Sequence, residues 1–374
     1  MKTKTFFTTF FLVVFTLVSL TVAINVFVNP YGYYGDKQLG MGELFNSHVA
    51  KYDYLKENNL KPEAIVLGSS NSMKMLPSTI DSLFGLKAFN YGVYQAGVED
   101  FYCISNVLIN DLKIKPKLFI ICIDDWNFSK VPQAKDQVFD RAQNRLAYKP
   151  LFSKYLSNFS RLTLGWFQFK SALSFPQTQY SMGNLKNAFS SGNFERNNPP
   201  MSQAFHNDGT RKKYGDNDNK DITEIAEQGK YNITEYLKDL HKKELKKNTM
   251  GIVHFSNEDF DAIDPRGLEQ LEKLIGLYEA NGIKVILNIM PVQPYFQELL
   301  YKLKPQYKNR IDQLKKYFSI LQSQHKNIVL VKDNHEIRNF NGNSEYFFDQ
   351  LHPTSANSNL MLISIKKQLG DYAF

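Results

Sequence analysis

The segment Ala64-Ile65-Val66-Leu67-Gly68-Ser69-Ser70-Asn71-Ser72 decides the fold class. Four apolar residues in a row read as a strand buried on both faces, and the Gly-Ser-Ser that follows reads as a turn at its carboxyl end. Pro77 suits the first turn of a helix just beyond. Working outward, residues 88–93 form a second strand candidate. Residues 98–112 carry Phe101, Ile104, Leu108 and Leu112 at helical steps of three and four. Leu118–Ile123 is a third strand, again apolar on both faces. Far downstream, Leu268, Leu271, Ile275 and Tyr278 mark an amphipathic helix that Asn281-Gly282 ends. Residues 284–290 and 328–331 are further strands, and 355–369 is a closing helix. Alternating strand and helix predicts an α/β three-layer sandwich around a parallel, roughly five-stranded sheet.

Upstream, residues 5–28 (TFFTTFFLVVFTLVSLTVAINVFV) carry no charge, and Lys2 and Lys4 precede them. A helix needs about 20 apolar residues to cross the hydrocarbon core, so this stretch is long enough for one transmembrane span. No Lys or Arg follows until Lys37, which puts the N-terminus in the cytoplasm and the rest of the chain outside. The competing reading is a cleaved signal peptide with Thr21-Val22-Ala23 as the cleavage site; length and the poor site favour the anchor. The expected organisation is an anchor over 1–30, core halves over 31–148 and 265–374, and between them an insertion or cap over 149–264. That insertion breaks the alternation and turns polar around Ser190-Ser191-Gly192-Asn193 and Asn197-Asn198-Pro199-Pro200.

The 374 residues are 43% hydrophobic and 22% charged, which excludes collagen-like and wholly disordered chains. Cys103 and Cys122 sit in apolar runs and read as buried thiols, not a disulfide framework. The net charge of +8 points to an anionic neighbourhood. There is no zinc-ligand spacing, Walker loop or nucleic-acid motif, and an extracytoplasmic basic domain argues against nucleic acid as partner.

Two segments carry chemistry. One is the Gly68-Ser69-Ser70 turn; the other is Asp349-Gln350-Leu351-His352-Pro353-Thr354, just before the last helix. A serine hydroxyl is a weak nucleophile and needs a positioned base, for which imidazole is suited at neutral pH. A carboxylate on the other ring nitrogen fixes the tautomer. Asp and His three apart on one loop can present both side chains to one spot. If that spot faces the end of the first strand, Ser70, His352 and Asp349 form a triad.

Strand–Gly-x-Ser followed late in the chain by Asp-x-x-His resembles the SGNH (GDSL-like) hydrolase superfamily. The nearer likeness is to its membrane-anchored, extracytoplasmic branch, which includes envelope acyl-transfer proteins of D-alanyl-lipoteichoic acid and alginate O-acetylation. The resemblance covers about 62–128 and 267–369. It implies Ser70 as nucleophile, His352 as base, Asp349 as its partner, no cofactor and no metal. It also implies an oxyanion hole from the Ser70 N–H, a glycine N–H at Gly92 or Gly97, and Asn127. The expected activity is a serine esterase or acyltransferase on acyl esters of an envelope polysaccharide or teichoic-acid-like polymer. The alternative is a catalytically silent module that binds such a polymer or scaffolds a membrane-bound acyltransferase. Gly-Ser-Ser replaces the family's Gly-Asp-Ser, and Asp124-Asp125-Trp126-Asn127 replaces its Gly-x-Asn-Asp.

Each residue has a plainer reading. Ser70 can cap a helix, and His352-Pro353 can be a loop with Thr354 as cap. Asp124 and Asp125 with His352 make a poor metal set and read as loop carboxylates near the site. Asp216, Asp218 and Glu227 match calcium-loop positions, but Lys220 and Asp221 spoil the pattern. Lys242, Lys243, Lys246 and Lys247 read as a solvated helix face, with an anionic glycan as the other use. Trp166, Phe167 and Phe169 read as packing, with sugar stacking as the other use.

Overall fold

A computed structural model describes residues 2–30, 32–35, 38–39, 47–128, 150–197, 200–213, 220–247 and 263–374. They fall into two compact units, Met1–Tyr52 with Ala142–Pro200, and Asp53–Arg141 with Met201–Phe374. Of the expected cap over 149–264, residues 150–197 therefore belong with the N-terminal helix, and 201–213 and 220–247 with the sheet. The principal helices are, in chain order, α1 (Lys2–Val28), α2 (Pro77–Phe84), α3 (Val98–Asn106), α4 (Asn158–Ala172) and α5 (Phe175–Ser191). They continue with α6 (Ile233–Lys247), α7 (Pro265–Ala280), α8 (Pro294–Leu303), α9 (Pro305–Gln324) and α10 (Ser355–Leu369).

The second unit holds five parallel strands: β1 (Ala64–Leu67), β2 (Ala88–Asn90), β3 (Leu118–Ile123), β4 (Lys284–Ile289) and β5 (Ile328–Asp333). Their order is β2-β1-β3-β4-β5, with Val66 opposite Ile120 and Ile120 opposite Ile286. Strand periodicity splits the apolar residues between two faces. Ala64, Val66, Ile120, Cys122 and Ile286 meet Ile80 of α2 and Met361 and Ile365 of α10 on one side. Phe119 points to the other, where its ring stacks on Tyr278 of α7 at 4.4 Å. The buried Tyr278 hydroxyl is paired at 2.6 Å with Ser105 on α3, which spares the cost of an unmatched polar group. Both cysteines are buried free thiols.

β2 stops at Asn90 instead of running to 93. The Asn90 side chain accepts the Gly92 N–H at 2.8 Å and gives its amide to the Ser72 and Met75 carbonyls at 2.8 Å each. This local turn bends the chain out of strand geometry. Helices α8 and α9 were not anticipated; the inner face of α9 carries Tyr307 and Arg310 among its aliphatics, which blurs the apolar period.

In the first unit, α1 is long and apolar enough to cross a membrane by length and composition. Residues 3–20 are exposed, and burial starts at Thr21. There the α4–α5 hairpin joins α1. The fully buried Asn25 amide donates to the Ala172 carbonyl and the Thr178 hydroxyl at 2.9 Å each, and Ser181 donates to its oxygen at 2.9 Å. The aromatic cluster does not pack as expected. Phe167 is buried, but Trp166 and Phe169 lie on the opposite side of α4 and are more than half exposed, stacked on each other at 5.9 Å.

Candidate active site

In a sheet of order 2-1-3-4-5 the connections leave β1 in opposite directions, opening a crevice at the carboxyl ends of β1 and β3. Gly68-Ser69-Ser70 follows β1 there, and Asp124-Asp125 follows β3. Gly68 is required by space: a Cβ would sit 2.6 Å from the Ser72 hydroxyl and 2.8 Å from Cys122 Cβ. The turn continues as a short 3-10 helix, Ser70–Ser72, and its cap is Ser69, whose hydroxyl accepts the Asn71 N–H at 3.3 Å. The capping role thus belongs to Ser69 and not to Ser70.

The Ser70 hydroxyl instead meets His352 Nε2 at 2.8 Å, and His352 Nδ1 meets Asp349 Oδ2 at 2.6 Å. With Nδ1–H given to the carboxylate, Nε2 holds the lone pair and accepts a hydrogen bond from the Ser70 hydroxyl; these partners assign the tautomer. The Asp-x-x-His spacing has a visible cause. Asp349 Oδ1 also accepts the Leu351 N–H at 2.8 Å and the His352 N–H at 2.9 Å, so one carboxylate shapes the loop and aims the ring. The Phe348 N–H to His352 carbonyl bond, 2.8 Å, closes the loop. Thr354 stands at the N-cap of α10, but its hydroxyl makes no capping bond. Burial pulls the Asp349 carboxyl up, yet the His352 charge, its hydrogen bond and the two backbone N–H groups outweigh it and hold Asp349 below the ordinary carboxylate range.

Asp124 and Asp125, expected as loop carboxylates, are buried. Asp124 accepts the Ser69 hydroxyl on one oxygen and the Asn71 amide on the other, the latter at 2.5 Å. Burial raises the Asp124 carboxyl to about 6, against the lowering pull of Ser69 and Asn71; neighbouring Asp125 adds to the rise and the His352 charge opposes it. Asp125 faces the buried Arg310 guanidinium at 3.4 Å. Among the described residues no group of three or more His, Cys, Asp or Glu side chains is placed to hold a metal ion.

The expected oxyanion donors fare differently from one another. The Gly92 N–H is given to Asn90 Oδ1, and the Gly97 N–H to Asp100 Oδ2 at 2.7 Å, where it caps α3. Asn127 accepts the Asp124 N–H at 2.8 Å and donates one amide hydrogen to the Ala96 carbonyl at 3.1 Å. An amide has two such hydrogens, and the second finds no protein acceptor among the described residues. Glu227 pairs with Lys74 at 3.0 Å and accepts the Ser355 N–H at 2.9 Å, while Asp216 and Asp218 lie outside the described residues. Lys242 and Lys243 are exposed on α6.

Sequence reasoning missed the Ser69–Asp124–Asn71 network and the bracing role of Asn90. Neither has a local signal: Asp124 is 55 positions from Ser69 and Asn90 is 18 from Ser72.

No family model matches the chain, and no curated protein does. Among solved structures it is similar to a "putative acylhydrolase" from Bacteroides fragilis, with 14% identity over 87% of this chain and 98% of that one and a TM-score of 0.37. So loose an overlap carries no argument about activity.

Proposed function

We propose that the chain is an SGNH-type serine esterase or acyltransferase, tethered by α1 with its globular part outside the cytoplasm, acting on acyl esters of a cell-envelope polymer. The observation that supports it is the pair of hydrogen bonds that runs from Ser70 Oγ through His352 to Asp349. In this reading Ser70 Oγ attacks the ester carbonyl while His352 Nε2 takes its proton. Asp349 holds the ring and stabilises the imidazolium. The Ser70 N–H and the second Asn127 amide hydrogen stabilise the developing oxyanion. His352 returns its proton to the leaving oxygen. Water, or a sugar hydroxyl deprotonated by the same nitrogen, then attacks the acyl-serine and frees Ser70. Mutating Ser70→Ala and assaying an aryl acetate tests the assignment: hydrolysis falls to background, and undiminished turnover removes Ser70 from the mechanism.

A silent, polymer-binding module is the second reading. It is favoured by the commitment of the Gly92 and Gly97 N–H groups to Asn90 and Asp100, which leaves fewer oxyanion donors. A fluorophosphonate separates the two, because only an activated Ser70 becomes labelled.

A further inference from the structure

The α4–α5 hairpin keeps much of its large apolar surface on the outside. Its inner side holds Leu164, Phe167 and Ala172 beside polar or small residues, Ser171, Gln177, Ser181, Asn184 and Ala188, all of them buried. Its outer side carries apolar stripes at helical spacing. On α4 and its end, Leu162, Trp166, Phe169 and Leu173 recur at steps of four, three and four and are 43–76% exposed. On α5, Phe175, Met182 and Phe189 recur every seven residues and are 52–72% exposed. Water drives the opposite arrangement. Small and hydrogen-bonding residues within, with apolar side chains without, is the arrangement favoured where lipid is the solvent.

The height of the hairpin along α1 fixes which part of a bilayer it meets. A span of about 20 residues that begins at Thr5 ends at Ile24. The next residue, Asn25, is the one the hairpin holds, through Ala172, Thr178 and Ser181. The hairpin turn therefore lies at the edge of the hydrocarbon and not at its centre. Charge agrees. Residues 150–197 carry five cations, Lys154, Arg161, Lys170, Lys186 and Arg196, against the single acid Glu195. Lys170 sits over the Trp166 ring at 5.0 Å, the mixture of aromatic and cation that suits a headgroup layer.

We propose that the α4–α5 hairpin is a membrane-interface element, which lays its Trp166–Phe169 and Phe175–Phe189 stripes into the bilayer–water boundary at the C-terminal end of α1 and its cations among anionic lipid headgroups. This rests on the reading of α1 as a membrane span.

The test reconstitutes the full chain, one copy per lipid nanodisc, and isolates Trp166 emission as wild type minus W166F, a substitution at an exposed site. The expected result is a loss of about twofold in Trp166 emission when lipids carry bromine near the top of the acyl chain, with a smaller loss for bromine near the midplane. A second variant, Phe15→Trp in the W166F background, reports on α1 and is quenched most by midplane bromine. If that reporter is quenched while Trp166 is not and stays open to aqueous acrylamide, the hairpin stands in water and the proposal falls while the span survives. If Trp166 is shielded from both quenchers, protein covers it and the proposal also falls. If the Phe15→Trp reporter is unquenched, the span itself fails.

Discussion

Two aspartates stand behind one serine turn and are set up in opposite ways. Asp349 lies on a loop, partly buried, where the His352 ring and two backbone N–H groups hold it charged. Asp124 lies at the buried end of β3, where lost hydration raises its carboxyl toward neutrality and Ser69, Asn71 and, least, the His352 charge compensate in part. The serines divide likewise. Ser70 meets an imidazole, while adjacent Ser69 meets a carboxylate and caps a helix turn. Residue type did not assign these jobs; the direction in which each side chain leaves the turn did. One aspartate orients the His352 ring, and the other fixes the backbone that carries Ser70.

That division is breakable by experiment. Asp349→Asn keeps the shape but offers the wrong hydrogen-bonding partner to His352, and kcat on an aryl ester is expected to fall about 10⁴-fold. Asp124→Asn, by contrast, keeps a carbonyl acceptor for the network, and a loss as large as that for Asp349→Asn would erase the distinction. Asn127→Ala removes the proposed oxyanion donor and is expected to cost about 10²–10³-fold in kcat; an unchanged rate would exclude Asn127 from the reaction.

The effects that follow are on folding. Because the folded state raises the Asp124 pKa to about 6, it binds the proton more tightly than the unfolded chain does. The stability from this group is complete below the usual carboxylate range, is lost as pH rises from there through about 6, and is flat above. Denaturant unfolding of wild type against Asp124→Asn should show a difference that grows by about 3 kcal/mol across that window. Asp349 has the opposite sign: its contribution is present above the ordinary carboxylate range and is lost on acidification. Smallest is Ser69→Ala, which leaves one Asp124 oxygen without its hydroxyl and should cost about 1–3 kcal/mol in the same assay.

How much of this the sequence reveals depends on distance along the chain. β1, β3 and α10 were readable because an apolar run or a helical period is complete within a few residues. So was the Asp349–His352 pair, whose spacing is a property of one loop. The Ser69–Asp124 bond was not, because it exists only once β1 and β3 lie side by side. Asn90 looked like strand continuation until its side chain was seen to hold Gly92. In α4 the aromatic cluster was legible, but the side it faces was not. A stripe such as Leu162, Trp166 and Phe169 has the same spacing whether it faces protein or lipid, so Trp166 and Phe169 read as packing until their exposure was known.

The way Asn25 is held bears on how this protein is prepared. A shortened version that begins past α1, the usual route to a detergent-free sample, would strip the amide that serves Ala172, Thr178 and Ser181 and uncover a trough of hydrogen-bonding groups. The same cut would leave the greasy outer stripes in buffer. Yield and monodispersity should therefore suffer even if the sheet unit folds, and a version that starts after residue 200 could not repair this, because β1 and β3 lie upstream of it.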